Sequence, residues 1–141
     1  MSIKISHNLN IGTAWIEDIK DQLNSTYFNE NTLVFSEDLV KGYFYFKEII
    51  PGLMVQIVDF TSFKEIEFTR LASNEQFYVL YYAIDNNLKS SSGHLDNKEE
   101  IITNSGFNVI PSHVVTRYIS TPNERRFSVI ITISKLLFEE Y

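Results

Sequence analysis

The sequence predicts a mainly β domain, an antiparallel barrel or jelly roll preceded by one N-terminal helix and followed by the start of another. Three observations carry this expectation. Short apolar runs rich in β-branched and aromatic residues recur from residue 32 to residue 134, as successive strands would. The connectors hold turn formers (Pro51-Gly52, Ser73-Asn74, Ser92-Gly93, Ser105-Gly106, Thr121-Pro122-Asn123), and none is long enough for a crossover helix between parallel strands. Closure of eight or nine such strands removes exposed edges, which favours a barrel or jelly roll over an open sheet.

The first element is a helix in "IGTAWIEDIKDQLNS", where Trp15, Ile16, Ile19 and Leu23 recur at helical spacing. Thr13 is placed to cap orphan amides ahead of Glu17 and Asp18. Strands are expected at 32–35, 42–49, 53–60, 63–70, 76–85, 99–103, 107–111, 114–120 and 127–134. The polar stretch 86–97, "NNLKSSSGHLDN", reads as a mobile loop. In "GYFYFKEIIPGLMVQIVDF" the Pro-Gly pair joins two strands, with Phe44 and Phe46 facing inward and Tyr43 and Tyr45 in register with Lys41 and Lys47. Strands 53–60 and 77–84 are apolar on both faces, which asks for cover on both sides, and Trp15 on the opening helix is the candidate cover. In "QFYVLYYAID" one set is Gln76, Tyr78, Leu80 and Tyr82, the other Phe77, Val79, Tyr81 and Ala83, and the pattern leaves open which lines the interior.

Composition limits what the domain does. Its 141 residues suit one domain, 44% are hydrophobic and 14% aromatic, and there is no cysteine for a disulfide, thiolate metal site or thiol nucleophile. Net charge is −6, which argues against a phosphate-gripping surface, and Arg117, Arg125 and Arg126 beside Glu124 read as a solvated turn. No signal peptide and no run of roughly 20 apolar residues is found, so a cytoplasmic location is expected, with no membrane partner. Asn24-Ser25-Thr26 fits a glycosylation pattern only by chance.

Catalytic constellations are thin. His7, His94 and His113 are far apart and lack neighbouring carboxylates, so neither a metal nor a cofactor is expected. Glu65 and Glu67 alternate on one strand face as a solvated pair would, and Asp59 reads as a strand-end cap. No nucleophile elbow, phosphate loop or zinc-protease motif is found, so an enzyme is the weaker class.

The order "AWIEDIKDQL", "GYFYFKEIIPGLMVQIVDF", "QFYVLYYAID" and "GFNVIPSHVV…RRFSVIITIS" resembles the N-terminal, cupin-like sensing and dimerisation domain of bacterial AraC-family transcriptional regulators over nearly the whole chain. Gly106, Pro111 and His113 resemble the second cupin signature, whereas the paired histidines and glutamate of the first are absent, which implies a metal-free binder with His113 as a turn residue. The resemblance implies a sensing domain over 1–134 and, over 135–141, the start of a helix leading to a DNA-binding domain beyond this chain. The partners it implies are a small-molecule effector, DNA only through that further domain, and at most a weak homodimer. Phe44, Phe46, Gln56, Tyr78 and Tyr82 are the expected ligand-lining residues, with ordinary packed core as their alternative role. A cupin-type metalloenzyme and a free-standing small-ligand carrier are the other readings.

Overall fold

The computed structural model describes residues 3–8, 12–84, 92–95, 98–102 and 106–140. Its organising unit is the hairpin of β4 (Val40–Ile50) and β5 (Leu53–Ser62), turned at Pro51-Gly52, where Gly52 takes φ +90°. Strand alternation buries Phe44 and Phe46 on one face and leaves Tyr43 exposed on the other. β2 (Thr26–Asn29) and β3 (Thr32–Val34) extend this hairpin on the β4 side. On the β5 side follow β12 (Arg125–Ser134), β7 (Phe77–Ile84) and β10 (Gly106–Pro111), giving a seven-stranded antiparallel sheet in the order β10-β7-β12-β5-β4-β3-β2.

A second sheet has five strands in the order β1-β6-β11-β9-β8, built from β1 (Ile3–Asn8), β6 (Ile66–Leu71), β8 (Ser92–Leu95), β9 (Lys98–Ile102) and β11 (Val115–Ser120). The core lies between the two sheets, from Ile5 and Ile66 on one to Met54, Phe60 and Phe77 on the other. Among the described residues no strand ladder joins the sheets, so the expected closed barrel is corrected to a pair of facing sheets. The expectation of purely antiparallel pairing is corrected as well, because β1 runs parallel to β6 and β9 parallel to β11. β1 and β2 were not expected, and β8 lies within the stretch read as a loop; of that stretch, 86–91 and 96–97 lie outside the described residues.

Helix α1 (Ile16–Gln22) is shorter than the pattern suggested, and the Thr13 side chain does not cap it. The Thr13 carbonyl instead accepts a bond from the Ile16 amide at 3.1 Å, closing a turn ahead of the helix. α1 buries Ile16 and Ile19, and its Gln22 side chain pairs with the free edge of β1: Nε2 donates to the Ser6 carbonyl at 2.8 Å and Oε1 accepts from the Ser6 amide at 3.1 Å. An amide side chain thus occupies a strand edge that would otherwise invite another strand. Helix α2 (Lys135–Glu140) packs on the outer face of the seven-stranded sheet, where Phe138 meets Tyr78 with ring centroids 4.6 Å apart. The cover expected of Trp15 on a two-sided strand is therefore supplied by α2, and Trp15 faces the interior.

Candidate ligand cavity between the sheets

Register on β12 explains why the interior is not filled. Arg126 stands opposite Phe60, Ser128 lies between Val58 and Ala83, and Ile130 lies between Gln56 and Tyr81. The small side chain of Ser128 at mid-strand borders a gap that its larger neighbours do not close. It is a cavity of about 130 Å³, with Phe44, Val58, Phe60 and Ile130 on the seven-stranded side and His7, Phe68, Arg70 and Tyr118 on the five-stranded side. Trp15 closes one end: it is buried, its ring stacks on His7 at 5.5 Å and meets Phe44 edge-on at 5.9 Å, and its Nε1 donates to the Gly12 carbonyl at 2.9 Å.

Its walls are apolar but hold several buried polar atoms. The Arg126 guanidinium lies over the Tyr118 ring, 2.9 Å from its centroid, with Tyr81 5.5 Å away. Its Nε, the Tyr81 hydroxyl, the Ser128 hydroxyl and His7 Nδ1 are all inaccessible and without a hydrogen-bond partner. Arg70 is also buried but fully engaged: Nε donates to Thr116 Oγ1 at 3.2 Å, and Nη1 and Nη2 donate to the carbonyls of Ser112 and Val114 at 3.3 and 2.6 Å. Burial lowers the affinity of both guanidiniums for their protons, to about 10 for Arg70 and well below the ordinary arginine value for Arg126. The His7 ring is driven down to about 4, first by burial and then by the charge of Arg70, its parallel partner across β1 and β6.

These positions correct the reading of the three arginines as one solvated turn. Arg125 is the exposed one, forked onto Asp59 at 2.9 and 2.8 Å, so Asp59 is an ion-pair partner rather than a strand-end cap. Arg117 is half-buried and 3.5 Å from Glu67. Arg126, next in sequence to Arg125, points the opposite way into the cavity, as strand alternation requires.

Of the expected ligand-lining residues, Phe44 and Gln56 border the cavity. Phe46 is buried beside Phe44, with centroids 5.8 Å apart, and borders a separate hollow with Thr13 and Tyr27. Tyr78 and Tyr82 lie on the outer face of β7, against α2 and at 46% exposure respectively, so their inward placement is corrected. The inner set of β7 is Phe77, Val79, Tyr81 and Ala83, all buried. Residues missed by sequence reasoning are His7, Tyr81, Arg126 and Ser128. The available signal was that in "RRFSVIITIS" one face reads Arg126, Ser128, Ile130, Thr132, while the other is apolar beyond Arg125, with Phe127, Val129, Ile131 and Ile133.

His113 is exposed in the turn between β10 and β11, and the side chain of His94 lies outside the described residues. Among the described residues no three His, Asp or Glu side chains converge on a point that could hold a metal ion. What the cavity is equipped to do is enclose a small apolar body and offer it a few buried donors. Comparisons with protein-family models, with curated proteins and with solved structures return no match.

Proposed function

We propose that this chain is the small-molecule-sensing, dimerising regulatory domain of an AraC-type transcription regulator, with a cupin-like jelly roll as its scaffold. The observation that carries the reading is the cavity of about 130 Å³, lying between two sheets and lined by rings with a few unpartnered polar atoms. Ligand sites have this character, whereas a finished core fills its space and pairs its polar groups. The strand order β5-β12-β7-β10, facing β6-β11, supports the scaffold, since a double Greek key produces two such facing sheets. The parallel β9–β11 pairing departs from that plan.

Dimerisation is supported by the outer face of β7 and β10, where Tyr82, Phe107 and Val109 are exposed together. The sensing role is tested in two steps. Small molecules that raise the melting temperature of the 141-residue chain are first found by screening, and each is then titrated into the full-length protein bound to its operator. A shift in DNA affinity with effector is expected. Saturation of the cavity with no change in DNA affinity would overturn the regulatory role and fit a free-standing carrier instead.

A further inference from the structure

The interior of this acidic protein is cationic. Of the aspartates and glutamates whose burial is described, none is buried, while Arg70 and Arg126 are. Arg70 spends its donors on Thr116, Ser112 and Val114. The Nε of Arg126 is buried without a hydrogen-bond partner, and its guanidinium lies against the rings of Tyr118 and Tyr81. Attraction to ring faces offsets only part of the cost of removing an ion from water. Arginine does not escape that cost by shedding its proton. A buried cation with an unpartnered Nε, facing a cavity, is a counter-charge awaiting an anion.

We propose that the cavity takes a small monocarboxylate with a compact, ring-sized apolar body, its carboxylate paired with the guanidinium of Arg126. This rests on the reading of the domain as a small-molecule sensor and names the class of molecule sensed. The planar guanidinium fork matches a carboxylate, and with Arg70 already engaged, Arg126 serves one anionic head. Ser128, two residues along the same face of β12, and Tyr81, whose ring lies 5.5 Å from the guanidinium, bring unpartnered hydroxyls to the same region. The body of the ligand meets Phe44, Val58 and Phe60. Size sets the limit: about 130 Å³ is close to the roughly 150 Å³ of apolar cavities that accept benzene.

The test uses benzoate as probe, benzamide as its neutral isostere and inorganic phosphate as a free anion, each titrated calorimetrically into the 141-residue chain. Benzoate is expected to bind at least about tenfold more tightly than either of the others, the scale of one charge-assisted pair. Arg126→Met should lose that preference and melt at a higher temperature than the ligand-free parent, because an unpaired buried ion is replaced by an apolar side chain. Arg125→Met, on the surface, should bind benzoate as the parent does. Equal binding of benzoate and benzamide, tighter binding of phosphate, or unchanged benzoate binding by Arg126→Met would overturn the carboxylate assignment while leaving a ligand cavity in place. Failure of every probe to bind would overturn it too, and the sensor reading would then stand or fall on effector-dependent DNA binding by the full-length protein. Should Arg126→Met not fold, the benzoate and benzamide comparison on the parent chain decides.

Discussion

Gly42 is a residue whose side chain could not be anything larger. It takes φ +140° in β4, and a Cβ there would overlap the Asp59 carbonyl oxygen and come within 2.6 Å of the Phe60 Cα. Both obstacles are backbone of the paired strand, so neither can swing aside. Gly42→Ala should lower stability by at least about 2 kcal/mol, read as a drop in urea midpoint at constant m-value. An unchanged midpoint would mean that the β4–β5 ladder yields there. His7 is sensitive in another way. Its folded value is about 4 against the ordinary 6.5, so between those values the unfolded chain holds a proton that the folded chain refuses. The stabilising contribution is therefore complete above pH 6.5 and lost as pH falls toward 4, and it amounts to about 2 kcal/mol once the ring's partial exposure is discounted. Unfolding free energies at pH 7.5 and 4.5 for the parent and His7→Gln isolate this contribution from the carboxylates, which titrate in both. The gap between the two proteins should change over that range, and a constant gap would show that the ring takes up its proton as freely folded as unfolded.

At the scale of elements, the two sheets are joined by a small polar tie in an otherwise apolar interior. Ser62 at the end of β5 donates to Ser120 Oγ at the end of β11, 3.0 Å away, and the same oxygen accepts the Ile66 amide at 2.9 Å while donating to the Ile66 carbonyl at 3.2 Å. All three residues are buried, so Ser120→Ala strands an amide, a carbonyl and a hydroxyl together. Its cost should be about 2–3 kcal/mol, measured by chemical denaturation, whereas the double change Ser62→Ala with Ser120→Ala should cost less than the sum of the single changes. Additive losses would show that the two hydroxyls act independently. The elements themselves were legible to different degrees. β4, β5 and β12 were readable because long runs of β-branched and aromatic residues and Pro51-Gly52 mark them, and alternation along β4 placed Phe44 inward, while Gln56 stood out as the polar residue of a strand apolar on both faces. β7 was readable as a strand but not in orientation, since both faces are apolar, and the choice was made by α2 covering Tyr78. β1 escaped notice because "IKISHN" is short, and its place depends on Ile66–Leu71, far along the chain. Whether strands close into one barrel or face each other as two sheets is decided by such distant pairings, which local pattern does not encode. Arg126 was misread for a general reason: a charged side chain is assigned to solvent by default, and only register with Phe60 turns it inward.

The whole molecule separates its charge by depth, with its buried guanidiniums inside and its described carboxylates outside, under a net charge of −6. The arrangement bears on DNA. A protein gains most of its non-specific affinity by placing cations against phosphates and releasing counterions, so only accessible cations count. Here Arg70 and Arg126 are enclosed, Arg125 is forked onto Asp59, and Arg117 faces Glu67. The remaining surface is dominated by carboxylates that repel the duplex, and steering by the long-range field acts in the same direction. Neither described helix is built as a reading head: α1 has seven residues and packs on β1, and α2 has six and lies against the seven-stranded sheet. We therefore expect the 141-residue chain to leave random duplex unshifted at micromolar protein in about 50 mM salt, a condition generous to electrostatic binding. The full-length regulator, if the proposed function holds, should shift its operator under the same conditions and lose affinity steeply as salt rises, with the slope reporting phosphate contacts made elsewhere in the protein. A shift by the 141-residue chain alone would mean that this acidic surface hides a phosphate-binding face and that the division of labour between sensing and DNA reading is wrong.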